Sequence, residues 1–127
     1  MTTRVLVVED DAMLALDTAG QLKGFVVVGP ATSVAWALKL ISETGCDVGV
    51  LDVNLGKESA EPVARELRAR RTSFVVLSGY SKDQHPPGFH NAPVLLKPAR
   101  PSDLIATLRT CMGDFRSHPT GSSPTSR

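Results

Sequence analysis

Five short apolar runs punctuate the chain, at residues 5–8, 25–28, 48–53, 74–77 and 94–96. They are rich in β-branched residues and do not alternate with polar ones, which predicts strands buried on both faces of a parallel sheet. Between them the spacing turns helical. Leu14, Leu16, Ala19 and Leu22 mark a helix after the first run, with Gly24 placed to end it. Thr32 or Ser33 can cap a second helix, with Val34, Ala37, Leu38 and Ile41 as its inner stripe, Trp36 beside that stripe and Gly45 closing it. Ser59 can open a third, with Pro62 in its first turn and Val63, Ala64 and Leu67 facing inward. Pro101 opens a last helix carrying Leu104, Ile105, Leu108 and Met112, which Gly113 is expected to stop.

Residues 81–92 break the pattern. Pro86, Pro87 and Gly88, followed by Pro93, leave little apolar periodicity, so the fourth helix is expected to be short or irregular. Residues 114–127 are rich in Ser, Thr, Pro and Gly and cannot bury enough surface to fold; a disordered tail after a single domain over 1–113 is the expectation. Strand followed by helix, repeated about five times with right-handed crossovers, predicts an α/β fold. The arrangement is a flavodoxin-like, doubly wound, five-stranded parallel sheet with strand order 2-1-3-4-5.

Composition narrows the function classes. The 127 residues are 42% hydrophobic and 21% charged, an ordinary globular balance. A formal charge of +1 argues against a nucleic-acid binder, and the cluster Arg65, Arg68, Arg70 and Arg71 reads as a solvated helix face. Cys46 and Cys111 fit neither a disulfide framework nor a metal-ligand spacing and read as reduced thiols. The N-terminal apolar run is too short for a signal peptide, and no stretch approaches the ~18 apolar residues of a membrane span. A cytoplasmic protein without a membrane partner is therefore expected.

The chemistry lies at the strand ends. The first run ends in Glu9-Asp10-Asp11, the third reaches Asp52, the fourth ends at Ser78 and the fifth at Lys97-Pro98. In an open parallel sheet these carboxyl ends share one edge, where such folds place their ligands. Each residue alone has an ordinary explanation: Asp10 or Asp11 as a helix cap, Asp52 and Ser78 as loop or turn groups, Lys97 as a solvated charge. Together they suit one task. Clustered carboxylates repel, and a hard divalent cation such as Mg²⁺ relieves that repulsion. Asp52 can then serve as nucleophile toward a phosphoryl group, with the metal, Lys97 and the Ser78 hydroxyl neutralising its oxygens.

Four segments, Val-Leu-Val-Val-Glu-Asp-Asp, Val-Leu-Asp-Val-Asn-Leu, Val-Val-Leu-Ser-Gly-Tyr and Leu-Leu-Lys-Pro, resemble the receiver domains of two-component response regulators over residues 4–112. The resemblance implies that Glu9 and Asp10 are the acidic pair, Asp52 the phosphoacceptor and Asn54 a backbone-carbonyl ligand to Mg²⁺. It likewise implies Ser78 as the switch hydroxyl, Lys97 as the phosphate-contacting lysine and a cis Lys97–Pro98 bond. Glu9 and Ser78 replace the commoner Asp and Thr while keeping the chemistry, and Gly56 stands where many receivers have proline. Val94 occupies the position of the usual switching aromatic, which makes Tyr80 the candidate replacement. The segment 74–80 and the proline-rich stretch after it resemble the alphaproteobacterial FATGUY subgroup. His85, His90 and His118 have no partner at metal spacing and read as loop histidines.

The enzyme-class alternative is a haloacid-dehalogenase-type phosphatase, whose nucleophile motif follows the first strand; here that strand ends in Glu9-Asp10-Asp11, and no cap fits in the chain. A flavin-binding module on the same fold would need a phosphate-binding loop where three carboxylates stand. The expectation is thus a stand-alone receiver that takes a phosphoryl group from a histidine kinase or histidine phosphotransfer protein. It would act on an unknown downstream protein by contact or phosphorelay, catalysing nothing beyond its own phosphorylation and dephosphorylation.

Overall fold

The computed structural model describes residues 3–52, 54–55, 58–78, 92–97 and 99–116. Five strands, β1 (Arg4–Val8), β2 (Val26–Ala31), β3 (Val48–Asp52), β6 (Ser73–Ser78) and β7 (Val94–Leu96), form one parallel sheet in the order β2-β1-β3-β6-β7. Counting only these strands, that is the expected order 2-1-3-4-5. A separate two-residue antiparallel pair, β4 (Asn54–Leu55) and β5 (Glu58–Ser59), lies between β3 and the third helix.

Unbroken apolar strands need cover on both faces, and the helices supply it. On one face, Leu6, Val8, Leu51, Phe74 and Val76 pack with Ala37 and Ile41 of α2 (Val34–Glu43) and Val63, Ala64 and Leu67 of α3 (Glu61–Ala69). On the other, Val5, Val7, Val48, Val50, Val75 and Leu77 pack with Leu22, the C-cap of α1 (Ala12–Gln21), and with Leu104 and Leu108 of α4 (Pro101–Arg116). Residues alternate between the two layers along β1, β3 and β6, as the period of two requires. Gly49 in central β3 lets α3 approach closely: a Cβ there would lie 3.0 Å from Leu67 Cδ1 and 3.4 Å from Phe74 Cβ.

Local signals explain most helix ends. Ser33 caps α2 through its hydroxyl, which accepts from the Trp36 N–H at 3.1 Å, and Gly45 follows at φ +77°. Ser59 Oγ accepts from the Glu61 N–H at the start of α3, whose N-cap residue is Ala60. Val63, Ala64 and Leu67 are fully buried, as their spacing predicts.

Three details depart from the sequence reading. β2 continues past residue 28 to Ala31, through Gly29 at φ +95° and a cis Gly29–Pro30 peptide. Leu6 pairs with Val28 but Val8 with Ala31, so one extra residue bulges from β2 at the point where the apolar run stops. In α1, Leu14 and Leu16 face solvent and the buried position is Ala15, whose small side chain lets the helix lie close to the sheet. Finally, α4 runs through Gly113 to Arg116, three residues into the segment expected to be disordered; an interior glycine costs a helix only ~1 kcal/mol, too little to force a stop. The irregular fourth helix expected at 81–92 lies outside the described residues, Ala92 excepted.

Candidate functional site

Because the five strands run parallel, their carboxyl ends share one edge, and Glu9, Asp52, Ser78 and Lys97 follow or close four of them. Glu9 is fixed to the neighbouring strand, its N–H donating to the Ala31 carbonyl at 3.0 Å. The Lys97 N–H donates to the Ser78 carbonyl at 2.8 Å, tying the ends of β6 and β7 together. Glu9, Asp52 and Ser78 are all buried, at 4%, 4% and 1% exposure, unusual for two carboxylates unless they have partners.

They have one in Lys97. Its Nζ lies 2.9 Å from Asp52 Oδ2 and 3.3 Å from Glu9 Oε1. Burial works against the lysine's charge, but the hydrogen bond and charge of Asp52, with Glu9 adding to them, outweigh it and raise the Lys97 pKa. One ammonium does not offset two carboxylates. Burial, then the hydrogen bond and charge of Asp52, push the Glu9 carboxyl up to about 7, against the pull of the Asp11 N–H and Lys97.

Asp10 adds a third carboxylate. It is exposed, and Glu9, Asp10 and Asp52 each offer an oxygen such that all three lie within 4.8 Å of one another. The sequence left open which of Asp10 and Asp11 caps α1. Asp11 does so, its Oδ1 accepting from the N–H groups of Met13 at 2.9 Å and Leu14 at 3.2 Å, which leaves Asp10 to the cluster. Three convergent hard oxygen donors with surplus negative charge suit a divalent cation of the Mg²⁺ type. Asn54 stands two residues past Asp52, in the short ladder opposite Ser59.

Other residues singled out in the sequence fall elsewhere. Val94 is half-buried and packs against the core layer of α2 and α3. Gly56, Tyr80, His85, His90, Pro98 and His118 lie outside the described residues. Neither Cys46 nor Cys111 is in a disulfide, and burial pushes the Cys46 thiol up to about 11, away from reactive thiolate character.

One feature was missed in the sequence reading. Met13, Leu14 and Leu16 are 81%, 47% and 65% exposed on α1, immediately after the acidic cluster. A cleft of about 360 Å³ between α1 and α4 is lined by Leu14, Thr18, Gln21, Leu77 and Leu104 and shares Glu9 and Lys97 with the cluster. The signal was available: successive helical residues are about 100° apart, so side chains at 13, 14 and 16 cannot all face one core. Among the described residues, no helix is long and apolar enough to cross a membrane.

With this geometry in view, the fold is that of a receiver domain. The structural neighbours are CheY-like response-regulator receiver domains, and the chain has their fold. A receiver domain from Methylobacillus flagellatus is 26% identical, with a TM-score of 0.76 over 87% of this chain and 99% of that one. One from Methanospirillum hungatei JF-1 is 19% identical, with a TM-score of 0.82 over 92% of this chain and 98% of that one. The response regulator PhyR from Brucella abortus is 21% identical, with a TM-score of 0.75 over 96% of this chain and 52% of that one. Among curated proteins, the chain is 29% identical over 119 residues to the transcriptional regulatory protein PdtaR of Mycobacterium tuberculosis, covering 89% of this chain. It spans only 58% of that relative's length. No protein-family model matches the chain.

Proposed function

We propose that this domain is a phospho-accepting signalling switch whose phosphorylated residue is Asp52. The observation that carries the reading is the Asp52 carboxylate: buried, ion-paired at Oδ2 with Lys97, within reach of two further carboxylates, and on the strand beside the one that ends in Ser78. An Asp52 oxygen attacks the phosphorus of a phosphohistidine; the P–N bond breaks, imidazole leaves with its electron pair, and an aspartyl phosphate forms. Lys97 follows the charge from carboxylate to phosphoryl oxygen, and the Ser78 hydroxyl supplies a hydrogen bond to another. Glu9, Asp10, Asp52 and the Asn54 backbone carbonyl would hold a Mg²⁺ ion, which would supply charge neutralisation at the phosphoryl oxygens.

The donor is a histidine kinase or histidine phosphotransfer protein, and the apolar surface of α1 beside the site favours a protein donor of this kind. The output passes through contact with a downstream protein or onward phosphotransfer, in the cytoplasm and without nucleic acid or membrane. The FATGUY-type subgroup reading rests on the 74–80 segment, and the likeness to PhyR is compatible with it. The test is labelling by a small phosphodonor or a phosphohistidine protein with Mg²⁺. Wild type is expected to take up the label and Asp52→Asn to take up none; equal labelling of both would refute the assignment.

A further inference from the structure

Two anchors bracket the Glu9-Asp10-Asp11 turn. On the strand side, the Glu9 N–H is bonded to Ala31. On the helix side, Asp11 makes three kinds of contact at once. Its carboxylate accepts from the Met13 and Leu14 N–H groups, its carbonyl accepts from the Ala15 N–H at 2.8 Å, and its own N–H donates to Glu9 Oε2 at 3.3 Å. Glu9 is therefore held at both oxygens, Oε1 by Lys97 and Oε2 by the Asp11 backbone. Asp10 has its backbone fixed on either side while its carboxylate stays exposed within the cluster.

We infer that Asp11 is a positioning residue for the divalent-cation site: through its helix cap it fixes the backbone that aims Glu9 and Asp10 at Asp52. The inference rests on the metal site proposed above. A flexible glutamate of three side-chain torsions gains most from such restraint, since every rotamer frozen before the ion arrives is one the ion need not order. Partners that orient metal ligands without touching the ion typically change metal affinity about 10–100-fold when removed. The cap itself ranks Asn, Asp and Ser as near equals, with alanine poor. Geometry and charge at position 11 can therefore be separated.

The experiment is a Mg²⁺ titration followed by backbone amide shifts, well below the melting temperature, on wild type, Asp11→Asn, Asp11→Ser, Asp11→Ala and Asp11→Gly, with Asp52→Asn as control. Asp11→Ala and Asp11→Gly are expected to weaken Mg²⁺ binding about tenfold. Asp11→Asn and Asp11→Ser, which keep the cap, should stay within about threefold of wild type. The glycine variant guards against misfolding, because glycine at an N-cap costs only a few tenths of a kcal/mol while removing the acceptor. Wild-type affinity in the alanine and glycine variants would reduce Asp11 to a helix stabiliser and overturn the inference. An Asp11→Asn variant as weak as Asp11→Ala would also overturn it, since charge and not geometry would then matter. No saturable response in wild type would sink the metal site itself and this inference with it, whereas a wild-type response lost in Asp52→Asn keeps the two questions apart.

Discussion

Lys97 Nζ sits 2.9 Å from Asp52 Oδ2 although their strands are not neighbours; β6 lies between them. The lysine spans the end of the intervening strand and reaches Glu9 as well. Two nearly buried carboxylates thus share one ammonium. Lys97→Met, which keeps the side chain's apolar length, is expected to destabilise the protein in chelator by about 1–3 kcal/mol. Mg²⁺ should recover much of that loss by replacing the missing positive charge. Urea denaturation with EDTA and with Mg²⁺ measures both; equal stability of variant and wild type in EDTA would show that the ion pair is not structurally needed.

Glu9 makes stability depend on pH in a direction opposite to that of most carboxylates. Its folded pKa, about 7, lies above the ordinary 4.5, so the folded protein holds this proton more tightly than the unfolded chain does. The stabilisation is complete below about 4.5 and is lost as pH rises through about 7. In chelator, wild type is expected to melt lower at pH 8 than at pH 6, and Glu9→Gln to flatten that part of the curve. Metal binding must expel the same proton, so Mg²⁺ affinity should climb over the same window, by at most tenfold per pH unit. A wild-type affinity independent of pH between 6 and 8 would contradict the shared proton.

Asp10→Asn separates the exposed member of the cluster from the buried pair. The substitution removes one ligand oxygen's charge without touching the core, so Mg²⁺ binding should fall about tenfold or more while the metal-free melting temperature holds or rises slightly. Calorimetric titration and melting in EDTA provide the two readouts. Unchanged affinity would remove Asp10 from the ligand set.

Sheet order and both core layers were legible because each rests on patterns the chain cannot disguise: unbroken β-branched runs, and stripes such as Val63, Ala64 and Leu67 at helical spacing. The candidate site was legible for a related reason. Parallel topology turns the identity of each strand's last residue into a position on one edge, so Glu9, Asp52, Ser78 and Lys97 converge without any contact being known. What the pattern hid was non-periodic. The extension of β2 depends on a bulge at Gly29, and the choice of Asp11 over Asp10 as cap depends on backbone angles that neither residue type dictates. The outward turn of Leu14 and Leu16 follows from Ala15 taking the sheet-facing position, which a scan for large apolar residues passes over.

The end of α3 shows how backbone strain can be read as a prediction. Thr72 N–H returns to the Leu67 carbonyl at 2.8 Å and Arg71 N–H to Arg68 at 2.9 Å, a helix stop that places Arg71 in the left-handed region at φ 58°. Glycine is the usual occupant of such a position. Arg71→Gly is expected to stabilise the domain by up to about 1 kcal/mol, the relieved strain exceeding the extra freedom of the unfolded chain. A lower denaturation midpoint for the variant would mean that the Arg71 side chain makes a contribution larger than its backbone cost.

The exposed apolar side chains of α1 bear on the donor in the function proposed above. Met13, at 81% exposure, and Leu16, at 65%, have little core role, so changing them should leave the fold intact. Leu14 lines the cleft that holds Glu9 and Lys97, so a protein seated on α1 would bring its own reactive group to the edge where Asp52 lies. On the function proposed above, a small phosphodonor would need only the site, whereas a phosphohistidine protein would need the site and the helix. Met13→Asp and Leu16→Asp are therefore expected to keep wild-type labelling by a small phosphodonor with Mg²⁺. Transfer from a phosphohistidine protein should slow about tenfold, the scale of about 1.4 kcal/mol lost from an apolar contact. Parallel time courses with the two donors decide the matter. Equal slowing with both donors would place the defect in the site, and no slowing with either would show that the donor docks on a different face.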